Sequence, residues 1–486
     1  MANKDRLTGL DSSFLHLERD SAHMHVAGCS VFKGEAPAYD ELIGAIESRL
    51  HLVPRYRQRL AFVPFDQGRP VWVDDPHLNV RYHVRHTALP RPGGDAELKR
   101  LAGRVFSQAL DRSRPLWELW LVEGLAGGRF AVLSKTHHAL VDGVSGVDIA
   151  TVLFDASPEP LPVASPEHEW VARPLPSSAQ LLADALLERT TVPAEVGRGM
   201  RAMLRGPRTV ATRLARSLGS VGALAWTGFQ AAPASPFNVR IGPHRRFTWV
   251  RADLDQFKAI KDSLGGTVND VVLAVVAGAL GSYMRVHSNA TDRVGLRAMV
   301  PVSIRADIER GALGNRVAAM WATLPIGVTD PVERLHAISE EMREVKQSGQ
   351  AVGAEILTHL SGFAPPTIMA QAARLQARQR LFNLVVTNVP GPQFPLYLLG
   401  RELEAIYPMV PLAENTALGI AILSYNGQLN FGLVSDYDAL ADVELLADEL
   451  RASIDELAAA AGAPAPAIPP TGIKARAGGG PTPAAR

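Results

Sequence analysis

A single cysteine, Cys29, stands among 486 residues, so no disulfide can close within the chain and a reducing compartment suits it. No HExxH occurs and no second cysteine is there to complete a zinc ligand set, so no metal site is expected. There is no P-loop and no GxGxxG after a strand-like run, so nothing supports nucleotide-driven chemistry or a resident cofactor. A surplus of one charge sign is missing as well. Lys and Arg number 50 and Asp and Glu 49, a net charge of +1, and no nucleic-acid partner is expected. The longest apolar run, Val271 to Gly281, lies between Asp270 and Arg285 and is too short to span a bilayer. The first residues, Met1 to Arg6, have no apolar core behind them, so no signal peptide is expected. A cytoplasmic protein that does not cross a membrane, but is free to lie on one, fits these absences.

What is present describes a globular chain. Hydrophobic residues make up 47% and charged residues 20%, and the length exceeds what one ordinary core organises. Composition and periodicity divide it into a first unit, 1–160, a Pro-, Ser- and Glu-rich crossover, 161–240, a second unit, 241–461, and a Gly-, Ala- and Pro-rich tail, 462–486, expected to be disordered. In the crossover, Arg198, Arg201, Arg205 and Arg208 recur at three- and four-residue steps. Such a basic segment sits at an anionic membrane surface or forms the solvated face of a helix between domains, and the sequence leaves both open. Helices are expected over Tyr39 to Leu50, Asp95 to Ala109, Leu254 to Leu264, Val271 to Val286, Pro331 to Lys346 and Asp442 to Ala460. Strand patterns mix with them in both units. Hairpins are expected at Trp117 to Leu125 with Phe130 to His137, and at Ala417 to Tyr425 with Gln428 to Ser435 around Asn426-Gly427.

The first of these hairpins ends in the stretch that carries chemistry. In His137-His138-Ala139-Leu140-Val141-Asp142-Gly143, period-2 alternation sends the two imidazoles in opposite directions, one toward a channel and one into packing. An imidazole is the side chain able to take a proton near neutral pH and return it within one reaction cycle. A hydroxyl attacking an activated carbonyl needs such a base. Ser145 is not an alternative nucleophile, because Gly143-Val144-Ser145-Gly146 is one residue short of a GxSxG elbow. Thr267 or Asn269 is a natural N-cap for the helix that follows, with Asp270 favourable in its first turn.

The stretch resembles the HHxxxDG motif of the CoA-dependent acyltransferase superfamily, which includes chloramphenicol acetyltransferase and peptide-synthetase condensation domains. A fuller resemblance, from about residue 7 to about residue 460, is to the bacterial wax ester synthase/diacylglycerol acyltransferase family. It rests also on Leu10 to Phe14, Met24-His25-Val26, Pro115-Leu116-Trp117, Asn269-Asp270, Val300 to Arg305, Gly314 to Val317 and Thr387 to Pro392. The resemblance implies an α/β fold with mixed sheets: two chloramphenicol acetyltransferase-like domains joined by a long crossover, with an active-site tunnel between them. It implies His138 as general base, with His137, Asp142 and Gly143 supporting it, and an arginine clamping Asp142, for which Arg59, Arg57 and Arg305 compete. Asn269 and Ser303 become candidates for orienting substrate or stabilising the oxyanion. Pro115, Leu116, Trp117, Asp270 and Arg305 become candidates for substrate contact, although Pro115 to Trp117 also suits a rigid strand opening. The implied partners are acyl-CoA, as substrate, and diacylglycerol or a long-chain alcohol, met at the inner face of the cell membrane or on lipid inclusions. Two other readings remain: a condensation-type acyltransferase with a carrier-bound donor or another acceptor, and an idle lipid-body binding protein. The intact histidine pair argues against the last.

Overall fold

The computed structural model of the protein describes residues 5–141, 152–159, 163, 168–188, 231–287, 295–303, 317–347 and 381–463. The fold is mixed α/β, as expected, and its strands gather into two six-stranded sheets and a ribbon. The first sheet takes β1 (His25–Lys33), β4 (Val84–Ala88), β5 (Trp117–Leu125), β6 (Arg129–His137), β11 (Tyr397–Leu398) and β12 (Arg401–Met409), in the order β11-β12-β1-β6-β5-β4. The second takes β7 (Arg245–Asp253), β8 (Leu296–Ser303), β9 (Val317–Leu324), β10 (Leu384–Pro390), β13 (Leu418–Tyr425) and β14 (Gln428–Asp436), in the order β7-β14-β13-β10-β8-β9. The ribbon pairs β2 (Gln58–Ala61) with β3 (Val71–Asp74).

Local sequence accounts for the elements that matter here. The β5–β6 hairpin turns through Gly127 and Gly128, both at positive φ (81° and 65°), which a side chain would resist. Helix α1 (Gly9–Leu17) starts from a capping box: Thr8 Oγ1 accepts from the Asp11 N–H at 3.1 Å while the Asp11 carboxylate accepts from the Thr8 N–H at 3.4 Å. Further helices among the described residues, in chain order, are α2 (Tyr39–Arg49), α3 (Val80–His83), α4 (Asp95–Phe106), α5 (His138–Val141), α6 (Leu254–Leu264), α7 (Val268–Val286), α8 (Pro331–Gln347) and α9 (Val443–Ala460), and residues 178–188 are helical as well. Helix α7 is apolar nearly all round because it is covered on all sides, packing against α8 and α9 with Val271 to Leu280 fully buried. No single helix among the described residues is long and apolar enough to cross a membrane.

The sheets do not follow chain order. Strand β12, from the second unit, adds antiparallel to β1 of the first, pairing Cys29 with Tyr407 and Ala27 with Met409. It also lies across β13 and β14. The approach is close enough that a Cβ on Gly432 would overlap the Pro408 carbonyl oxygen. One hydrophobic core therefore joins β1 and β12 to the helices and inner face of the second sheet, and another lies on the far side of the first sheet, under α1 and α2.

Candidate active site

His137 closes β6 and His138 opens α5. The chain turns between them, and the two rings part as the sequence leads one to expect, with strand-to-helix geometry adding to strand alternation. His137 is 1% exposed. Its Nδ1 accepts from the Ala139 N–H at 3.1 Å, which assigns the proton of the neutral ring to Nε2. That nitrogen lies 3.5 Å from the Glu18 carboxylate. Glu18 stands just past the end of α1 and is gripped on its other side by Arg112, whose Nε donates at 2.7 Å. Burial raises the Glu18 carboxyl, but His137 and Arg112 outweigh burial and hold it down to about 2. The result is a largely buried anion beside the His137 imidazole, which in turn receives the Ala139 N–H in the first turn of α5.

His138 is half-buried, and its backbone N–H donates to the Met24 carbonyl at 2.8 Å. Its ring stacks on Phe14 of α1, with centroids 4.0 Å apart and planes 19° apart. The strand beside it, β1, sets His25 opposite His137 in register. Burial, with Lys135 adding to it, keeps His25 well below its ordinary pKa. His25 is therefore neutral near pH 7, and its Nε2 lies 3.1 Å from the Phe106 carbonyl. Lys135 is fully buried, donates to the Gln108 carbonyl at 2.9 Å and lies 3.3 Å from Glu118, and burial lowers its pKa. A polar cleft of about 560 Å³ opens at the seam between the two halves, lined by Glu18, Arg19, Asp20 and Ser21 on one side and Arg240, Ile241 and Glu414 on the other.

The other candidates fall in different places. Asp142, Gly143 and Arg305 lie outside the described residues, as do Arg198, Arg201, Arg205 and Arg208 of the basic crossover. Arg57 stacks its guanidinium 4.7 Å from the Trp170 ring centroid, and Arg59 sits on β2 opposite Val73. Pro115, Leu116 and Trp117 are buried. The Trp117 indole donates to the Tyr56 carbonyl at 2.9 Å and its ring stacks on His83, while the Leu116 carbonyl accepts from the His137 N–H at 3.0 Å. These contacts support the strand end that carries the histidines. Thr267, not Asn269, caps α7: its Oγ1 accepts from the Asp270 N–H at 3.2 Å, and the Asp270 carboxylate accepts from the Thr267 N–H at 2.9 Å. Asn269 Oδ1 instead accepts from Asn388 at 3.2 Å, tying two of the motifs together. Ser303 ends β8 opposite Val317. Among the described residues, no three of His, Cys, Asp and Glu gather as a metal ligand set. Glu18 and Arg112 are the site residues that sequence reasoning missed. The one signal available was Glu18 closing the helical pattern that carries Phe14.

Comparison with known proteins decides the family. Residues 7–272 match the model of the wax ester synthase/diacylglycerol acyltransferase catalytic domain, and residues 313–458 match that family's C-terminal domain. The chain belongs to the wax ester synthase/diacylglycerol acyltransferase family. Within it, the chain is 35% identical over 463 residues to a Mycobacterium tuberculosis protein named as a diacylglycerol O-acyltransferase, tgs2, covering 93% of this chain and 98% of the relative. A solved family structure, the wax ester synthase/diacylglycerol acyltransferase from Marinobacter aquaeolei VT8, superposes with a TM-score of 0.65 at 30% identity, covering 94% of this chain and all of that one. The starter condensation domain of rhizomide synthetase shares the fold, with a TM-score of 0.57 at 14% identity over 94% of each chain. The family, the two-domain fold and the acyltransferase activity read from the sequence all stand.

Proposed function

We propose that the protein moves a fatty acyl group from acyl-CoA to the hydroxyl of diacylglycerol, of a long-chain alcohol, or of both, with His138 as general base. The observation that carries this reading is the His138 ring itself: half-buried at the start of α5, stacked on Phe14, and set on a turn anchored by the His137–Glu18–Arg112 system. In the proposed step the imidazole takes the acceptor's O–H proton as the oxygen attacks the thioester carbonyl carbon. The C–S bond breaks, and the imidazolium returns the proton to the leaving thiolate. The thioester is already activated, so no covalent enzyme intermediate is needed and none of the buried polar groups is asked to act as a nucleophile. Ser303, Asn269 or backbone N–H groups are the proposed donors to the oxyanion. The family resemblance and the apolar acceptor support a peripheral position at the inner face of the cell membrane or on lipid inclusions.

The test uses purified protein, labelled palmitoyl-CoA and, in turn, dioleoylglycerol, hexadecanol and a short polar alcohol, with free CoA and lipid product both measured. His138→Ala is expected to abolish transfer while the far-UV spectrum and urea midpoint stay as in the parent. Near-normal turnover by a folded His138→Ala variant would end the proposal.

A further inference from the structure

We infer that Arg245, at the start of β7 in the second half, is a positioning residue for acyl transfer: it fastens the loop 18–24, which sets the place of His138. The inference deepens the proposed function and rests on His138 as its base.

The loop leaves the end of α1 and leads into β1. Its neck is closed by two backbone hydrogen bonds between Arg19 and Ala22, at 3.0 and 3.2 Å, so Asp20 and Ser21 form its tip. Beyond the neck, both backbone groups of Met24 are engaged. Its N–H donates to Glu18 Oε1 at 3.3 Å, and its carbonyl accepts from the His138 N–H at 2.8 Å. His137 Nε2 lies 3.5 Å from the same Glu18 carboxylate. Loop and histidine turn therefore form one closed ring of contacts, and a shift of the loop moves the His138 backbone with it.

Arg245 meets this ring from across the seam. It is 6% exposed, and its Nη2 donates to the Ser21 carbonyl at the loop tip. Nη1 donates to the Gly242 and His244 carbonyls at 2.7 and 2.9 Å and lies 3.7 Å from Asp436, which ties the guanidinium to its own half. The Arg245 backbone makes a second link. Its N–H donates to Ser107 Oγ at 2.8 Å, and a Cβ on Gly103 would lie 2.8 Å from the Arg245 carbonyl oxygen, so the end of α4 is pressed against β7. The Phe106 carbonyl at that end accepts from His25 Nε2 at 3.1 Å. Ser21 and His25 flank Met24, so Arg245 holds the loop at two points, one by its side chain and one through α4. Burial pushes the guanidinium's pKa down against the pull of Asp436, so keeping the charge here is costly. What it provides, and an apolar side chain of that size would not, is three donated hydrogen bonds, one of them across the seam.

The experiment measures kcat and KM for palmitoyl-CoA at saturating acceptor for Arg245→Met, Arg245→Lys and Ser107→Ala, each beside its urea midpoint. Arg245→Met keeps the length of the side chain and loses its donors. Its kcat is expected to fall about tenfold with KM little changed, as a displaced base would cause. Arg245→Lys, which keeps the charge, should recover part of that loss, and Ser107→Ala should lose about threefold. In a cycle with Glu18→Gln, kcat of the double variant should fall far less than the product of the two single losses, because both act on one loop. A residue that only stabilised the fold would lower the urea midpoint and leave the kcat of folded protein unchanged. That result with Arg245→Met would overturn the inference, as would a loss confined to KM or losses that simply multiply in the cycle. Should Arg245→Met fail to fold, Ser107→Ala decides, and parent-like kcat there overturns the inference. Normal turnover by His138→Ala would sink the base reading itself, whereas an inactive His138→Ala beside a parent-like Arg245→Met would sink only the role of Arg245.

Discussion

Replacing Glu18 by Gln tests whether the buried carboxylate positions the histidine pair. The substitution keeps the size and an acceptor for Arg112 and His137 but removes the charge. In the native state this carboxyl is held at about 2 rather than its ordinary 4.5. That difference corresponds to roughly 3 kcal/mol in favour of the ionised form. Arg112 is 37% exposed, so part of its attraction is screened, and glutamine retains weaker hydrogen bonds. A loss of about 1–2 kcal/mol at pH 7 is therefore expected in urea unfolding. Catalysis should suffer separately, because His137 Nε2 loses the anion 3.5 Å away and the α5 turn is held less firmly; kcat should fall roughly tenfold with KM for acyl-CoA little changed. The pH dependence has a definite sign. Folding lowers this carboxyl, so its contribution is complete above the unfolded value near 4.5 and is lost as pH falls toward 2. The stability gap between parent and Glu18→Gln should stay level from pH 8 to about 5.5 and shrink below that. A gap that widens on acidification, or a variant equal to the parent in both stability and kcat, would refute the reasoning.

Two further substitutions probe what surrounds the site. Gly432→Ala places a methyl against the Pro408 carbonyl oxygen and should force β12 away from the second sheet, costing about 3 kcal/mol or more; a parent-like urea midpoint would contradict the close approach. Asp270→Ala removes one arm of the α7 capping box and should cost about 1–2 kcal/mol with kcat nearly unchanged. A large fall in kcat at normal stability would instead assign Asp270 to substrate.

Elements with strong one-faced periodicity were legible in the sequence. Helix α6 spans Leu254–Leu264 as its apolar spacing predicts, and the β13–β14 hairpin turns at Asn426-Gly427. Strand β1 was not legible because six of its nine residues are buried, on both faces, which erases alternation. Strand β12 was also missed, although the opposite holds there. Glu402 and Glu404 alternate along it with apolar residues, and in the fold they meet Lys33 at 2.7 Å and Arg251 at 3.2 Å. The site followed the same division. The histidine pair stood out because its residue types and spacing match the family motif, whereas Glu18 and Arg112 are far apart in sequence and become a pair only in the fold.

Strand exchange also explains why the first unit cannot present the histidines alone. Strand β1 lies between β6, which ends in His137, and β12, which comes from beyond residue 400. Without β12, β1 would be an edge, with the backbone groups of Ala27 to Phe32 unpaired and the apolar side chains Cys29 and Val31 uncovered. The same hairpin region is fastened back to the first unit at Asp155, which exchanges two backbone hydrogen bonds of 2.8 Å with Tyr397 while its carboxylate receives Arg49 at 3.0 Å. The Met24 carbonyl that receives the His138 N–H sits just before β1. The position of the His138 backbone is thus set by a strand whose other edge is closed by the second unit. Both halves hold His138 in place, and the 560 Å³ cleft at their seam is where solvent meets that shared structure.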